Sequence, residues 1–221
     1  MRVEFNSLHW NNVDKDMLSA HQRVMDYFGI PINYHNLDGY NHGHWMQGVI
    51  NNSTSDVIVF MEPDCIPLNK RYLEYIKYVN RNETFVGIAQ VSNHISPKSH
   101  IYAAPGFYAI SKKAYDKLDR PSFTETRRSD TAEEISYMAE ERGMKYRALM
   151  PTYFEKPSSE GIWPLSNLGY YGIGTVFDNS IYHLYQSRMA ENIEMFVKRC
   201  DQVTRDEFTT EFFTPATTFT L

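Results

Sequence analysis

Apolar and polar positions switch between two periods along the first half of this chain. Residues 2–8 alternate with period two and predict a first strand. Over 14–28, Met17, Leu18, His21, Val24, Met25 and Phe28 recur on one helical face, and Gly29 with Pro31 stops that helix. Residues 32–37 predict a second short strand, ending at Asp38-Gly39. Trp45, Met46, Val49 and Ile50 then face inward from a helix over 43–51. Val57 to Met61 is apolar without a break, the pattern of a buried strand, and it ends abruptly in Glu62-Pro63-Asp64.

The second half is more mixed. Asn69 is placed to cap a helix that turns Leu73, Ile76 and Val79 inward. Strands are predicted at 84–91 and 102–110, and Ser111 caps a short helix that runs through Leu118. A helix over 131–142 closes at Gly143, and a strand over 145–150 ends at Pro151. Residues 152–178 are rich in Gly, Pro, Ser and aromatic types and read as a long functional loop. A last helix is expected over 188–203. The Thr- and Phe-rich tail, 204–221, would lie over the domain or on a partner, a second copy included. Alternating strand and helix predict an α/β fold: a doubly wound, mostly parallel sheet with an α+β C-terminal part.

Composition narrows the function classes. The chain has 221 residues with 42% hydrophobic and 22% charged, room for one well-buried domain. Sixteen tyrosines stand against three tryptophans, a balance suited to half-wet aromatic surfaces around a polar ligand. The net charge of −5 argues against a broad basic groove for nucleic acid. Cys65 and Cys200 are the two cysteines and read as free thiols. No opening stretch resembles a signal peptide and no run is long enough for a bilayer, so a reducing, cytoplasmic location is expected.

The acidic turn carries the first chemistry. Two carboxylates spaced i, i+2 at the tip of a buried strand face the crevice where open α/β sheets bind ligands. Hard oxygen donors there suit Mg²⁺ or Mn²⁺ against a diphosphate. The same residue types also end strands and cap turns. Asn6, near the end of the first strand, and Asp38, at the end of the second, occupy equivalent edges, although both types favour turns in any case. Asp130-Thr-Ala-Glu133-Glu134 forms a second acidic cluster, and Asp130 with Glu133 has the spacing of a capping box.

This order of parts resembles the GT-A fold of nucleotide-sugar-dependent glycosyltransferases (family 2-like). Glu62-Pro63-Asp64 stands where that family has Asp-x-Asp, with Glu in place of the first Asp. The resemblance covers roughly residues 1–190, within a single glycosyltransferase domain at 1–203. A nucleotide-binding half is expected at about 1–95 and an acceptor half at about 96–190. It implies a nucleotide-diphosphate sugar as donor, with Asn6 and Asp38 at the base and ribose. Glu62 would face the sugar or the metal, and Asp64 would hold the cation. Residues 41–51 would pack beneath the nucleotide, and 103–115 would run under the donor sugar, where Gly106 permits close backbone approach. The resemblance implies a base for the acceptor hydroxyl at Asp130 or Glu134, a late metal ligand in His183, and Arg188 near the diphosphate. The acceptor could be a glycan, lipid or protein, and less readily a modified nucleic acid. No second nucleophile stands out, which favours inversion. Two other readings stay open. One is a nucleotidyltransferase, though residues 5–15 lack the glycines of a triphosphate loop. The other is a nucleotide-sugar-binding module without catalysis.

Overall fold

The computed structural model describes residues 1–92, 100–155 and 161–216. The first half alternates as anticipated: β1 (Val3–His9), α1 (Lys15–Phe28), β2 (Ile32–Asn36), α2 (His42–Asn52) and β3 (Val57–Met61). Asp14 caps α1 by accepting from the amides of Asp16 and Met17, and Gly29 closes it at φ +68°. Asn41 caps α2 by accepting from the His44 amide at 2.9 Å. There follow β4 (Cys65–Pro67), α3 (Tyr72–Asn82), β5 (Phe85–Val91), β6 (Ile101–Ser111), α4 (Lys112–Lys117), α5 (Glu133–Glu141) and β7 (Arg147–Leu149). The chain continues through β8 (Pro151–Glu155), β9 (Ile162–Pro164), β10 (Tyr170–Gly172), β11 (Gly174–Phe177), β12 (Ile181–Leu184), α6 (Ala190–Thr204) and β13 (Thr214–Pro215).

The six-stranded sheet has the order β2-β1-β3-β6-β5-β7. β6 runs against both of its neighbours, and the other strands share one direction. Every residue of β3 is buried, and its side chains alternate between two cores. Val57, Val59 and Met61 pack with α1, α3 and α6 on one face. Ile58 and Phe60 pack with α2, α4 and α5 on the other. A continuous apolar run is what a strand covered on both sides requires.

Three expectations need correction. The stretch 152–178 is no loop: outside 156–160, which the structure does not describe, most of it is strand, building an antiparallel sheet of order β13-β8-β11-β12-β4 and the β9–β10 pair. β7 does end before Pro151, which also opens β8, a place where a missing N–H costs no ladder bond. Asn69 does not cap α3: it accepts from the Arg71 amide and donates to the Asn179 carbonyl, pinning the loop before the helix. Tyr72 and Tyr75 then take the inward face, leaving Leu73 39% exposed. Finally, the capping box at Asp130 is half made. Glu133 accepts from the Asp130 amide, but Asp130 Oδ1 accepts from the Thr131 amide, and α5 begins only after Ala132 at φ +65°.

The tail folds back on its own chain as far as residue 216. β13 pairs with β8, and the buried Phe213 packs edge-on against Tyr182 and Phe208. Cys65 and Cys200 are free and buried. Among the described residues, no helix is long and apolar enough to cross a membrane.

Candidate active site

The acidic turn is fixed by backbone bonds on three sides. The Glu62 amide donates to the Gly106 carbonyl of β6, and the Cys65 amide to the Glu62 carbonyl. The Asp64 carbonyl accepts from the Leu184 amide of β12 at 2.9 Å. β4 then pairs antiparallel with β12, and His183 lies opposite Cys65. A short strand after the turn thus carries the late histidine to the acids. His183 Nε2 stands 3.2 Å from Glu62 Oε2 and 3.5 Å from Asp64 Oδ1. Among the described residues, these three place one ligand atom each within 4.8 Å of one another.

Electrostatics follow from burial. His183 is 5% exposed. Burial works against its charge, but the carboxylates of Asp64 and Glu62 outweigh it and lift the imidazole to about 9. In return, His183 overcomes the burial of Asp64 and holds its carboxyl below the usual range. Asp64 Oδ1 and His183 Nδ1 are buried and make no hydrogen bond. Under the turn, fully buried His21 meets the Tyr34 hydroxyl at 2.6 Å. Burial holds His21 down at about 4 in spite of Asp64, so it is neutral.

The donor set fits a divalent cation. Two carboxylates and an imidazole offer oxygen and nitrogen donors for such a cation, with a buried carboxylate oxygen that lacks a hydrogen bond among them. The backbone opposite is a glycine for a steric reason. A Cβ on Gly106 would stand 2.6 Å from Ile88 Cδ1 and 3.0–3.1 Å from Cδ2 and Nε2 of the His183 ring. The Ile88 methyl can yield; the ring can do so only by leaving the acids. Gly106→Ala is therefore expected to cost about 1–3 kcal/mol of stability and to weaken Mn²⁺ binding by calorimetry more than tenfold, a loss that a distant overpacked site would not cause.

Two lobes of one cleft meet at this turn and share His42, Glu62 and Asp64. The first is lined by His9, Trp10, Val13, Met17 and Arg188. The second is lined by Gln90, Tyr102, Asp130, Thr131, His183 and Tyr185. Glu62, Asp64, His183, Asp130 and Arg188, all anticipated from sequence, thus come together. Arg188 is exposed, with its guanidinium 5.7 Å from the Trp10 ring.

Three anticipated residues do not line the cleft. Asn6 is buried mid-strand, its Oδ1 facing Asn33 and His35 at 3.4 and 3.1 Å, because β1 continues to His9. Asp38 is exposed beyond β2 and accepts from the Asn11 amide at 3.1 Å. Glu134 is gripped by Arg128, which draws its carboxyl below the usual range. The sequence reading missed His42, whose Nδ1 lies 3.4 Å from Glu62 Oε1. Its position right after the Asn41 cap was the available signal. It also missed Tyr185, whose hydroxyl is buried without a hydrogen bond and whose ring meets His183 edge-on at 4.3 Å.

With its single reversed strand and its acidic turn at the tip of β3, the chain has a mixed α/β fold built on a mostly parallel sheet. No family model matches it, and no curated protein does. Solved structures do match. The crystal structure of A197 from STIV is 16% identical over 83% of this chain and 94% of that one, with a TM-score of 0.47. The catalytic domain of Drosophila beta1,4-galactosyltransferase 7, in complex with xylobiose, is 11% identical over 66% of this chain and 65% of that one, with a TM-score of 0.47. A mutant of that enzyme, in complex with manganese, UDP-Gal and xylobiose, matches at 11% identity over 65% and 64% with a TM-score of 0.42. Galactosyltransferase LgtC, with donor and acceptor sugar analogs, is 8% identical over 95% of this chain and 97% of that one, with a TM-score of 0.45. Nucleotidyltransferases are matched as well. At such identities and TM-scores, no residue role passes from those proteins to this chain.

Proposed function

We propose that this chain is a glycosyltransferase that moves a sugar from a nucleotide-diphosphate sugar to an acceptor hydroxyl, with inversion. The observation that carries the reading is the convergence of Glu62, Asp64 and His183 at the tip of β3, in a cleft that Asp130 also enters. Glu62, Asp64 and His183 would hold a divalent cation there, which when bound would supply charge neutralisation for the diphosphate leaving group. Arg188, at the mouth of the neighbouring lobe, adds positive charge for the same phosphates. Trp10, Val13 and Met17 give that lobe an apolar lining suited to a nucleobase. Asp130 takes the proton of the acceptor hydroxyl as it attacks the anomeric carbon. Asn6, Asp38 and Glu134 play supporting parts. Asn6 orients His35, Asp38 holds the loop after β1 through Asn11, and Glu134 with Arg128 braces the loop before Asp130. The acceptor class is a glycan, lipid or protein hydroxyl.

The test is thermal unfolding with a panel of nucleotides and nucleotide sugars, with and without Mn²⁺. A uridine or guanosine diphosphate at a hundredfold its dissociation constant is expected to stabilise the chain by about 2.7 kcal/mol, hence to raise Tm by about 5–10 °C, only with the metal present. No shift across the panel counts against the reading. Pyrophosphate release from a nucleoside triphosphate and a sugar phosphate would move it to nucleotidyl transfer.

A further inference from the structure

The cluster around His100, just before β6, has a consequence for Asp130. His100 Nδ1 stands 2.7 Å from Glu133 Oε1, and its Nε2 stands 3.1 Å from Glu140 Oε1. Ionised carboxylates only accept hydrogen bonds, so both ring nitrogens carry hydrogen and the imidazole is a cation. The ring also lies flat on Tyr137, with centroids 4.0 Å apart at 16°. Glu133 is fully buried, and its second oxygen accepts from the Asp130 amide at 2.7 Å. A bond chain therefore runs from His100 through Glu133 to the backbone of Asp130, which lines the cleft beside His183.

We propose that His100 is a positioning residue: held between Glu133 and Glu140, it locks the Glu133 carboxylate that fixes the backbone of Asp130 in the cleft. This rests on Asp130 being the base of the transfer. Loss of the His100 proton turns one ring nitrogen into an acceptor facing a carboxylate. The chain then loses a hydrogen bond, Glu133 loosens, and Asp130 drifts from the acceptor hydroxyl.

Burial opposes the charge on His100, but Glu133 and Glu140 outweigh it and raise the imidazole above its ordinary 6.5. The clamp is thus fully present below pH 6.5 and is lost as pH rises through that elevated value. Among the described residues, the titratable and charged groups facing His100 are Glu133, Glu140 and Tyr137 of α5 and Tyr102 of β6. Behind them stand Tyr146, which donates to Glu140 at 2.6 Å, and Arg128, 5.0 Å from the far partner ring Tyr137.

The experiment is an NMR titration of the isotope-labelled full chain and of its Glu140→Gln and His100→Gln variants, alongside nucleotide-sugar turnover. In the unaltered chain, the Asp130 amide shift is expected to move with the same midpoint as the His100 imidazole. Glu140→Gln lowers both midpoints together and shifts the alkaline fall of kcat by the same amount, although it touches neither Asp130 nor Glu133. His100→Gln removes that amide titration and lowers kcat by about ten- to a hundredfold, with KM for the nucleotide sugar nearly unchanged. An Asp130 amide indifferent to His100, or a His100→Gln variant with unaltered kcat, overturns the proposal. Absence of turnover in the unaltered chain with every nucleotide sugar sinks the transfer reading instead, and the paired titration then decides the clamp alone.

Discussion

Asp64→Ala is expected to lower nucleotide-sugar turnover by about a hundred- to a thousandfold, the scale on which losing a charge-stabilising group acts, and to abolish the Mn²⁺-dependent rise in Tm. Asp64 presents a buried oxygen without a hydrogen bond toward His183, which marks it as the firmest anchor in the cluster. Its backbone is bonded to Leu184 through the carbonyl, so the turn keeps its path when the side chain is cut back. Asp64→Asn keeps the shape and removes the charge, and its turnover should fall nearly as far. Turnover assays and melting curves with and without Mn²⁺ check this. A variant that still answers to manganese would move the cation elsewhere.

The second large effect is on pH. A cation and a proton compete for His183 Nε2, so Mn²⁺ affinity should climb about tenfold per pH unit and level off near the imidazole's value of about 9. The metal-free chain behaves in the opposite sense. His183 is raised above its ordinary 6.5, so its contribution to stability is complete below 6.5 and is lost as pH rises through about 9. Stability without metal should therefore fall over the same window in which affinity for the metal grows. Titration calorimetry in buffers of different ionisation heat should register close to one proton released per cation at neutral pH. His183→Gln should flatten both slopes. If it leaves them intact, the imidazole is not where the competition occurs.

Much of the central sheet was legible for a simple reason. Val57 to Met61 is apolar throughout because it is covered on both faces, and polarity breaks where the chain leaves the sheet at Glu62. α1 and α2 announced themselves through one apolar face each, and α1 also through its stop at Gly29. The antiparallel sheet was hidden because its strands are short and, apart from the β11–β12 hairpin, its pairings are remote. β4 is three residues long and finds its partner in β12, far along the chain. No local pattern reports such a contact. The same distance hid how His183 reaches the acids, and only the family likeness pointed to it. Asn6 was misplaced because its strand runs on through apolar Leu8 to His9. The grip of Arg128 on Glu134 depends on the loop between them folding back, which residue spacing does not encode.

The tail strand has an effect beyond packing. β13 covers the outer side of β8, which would otherwise offer a row of bare backbone donors and acceptors to any passing strand. A second copy of this molecule can pair with β8 on that side only by first prising residues 214–215 away and lifting Phe213 off Tyr182. The tail strand thus works as a selvedge along β8, finishing that side of the fabric so that neighbouring molecules in a crowded solution do not knit onto it.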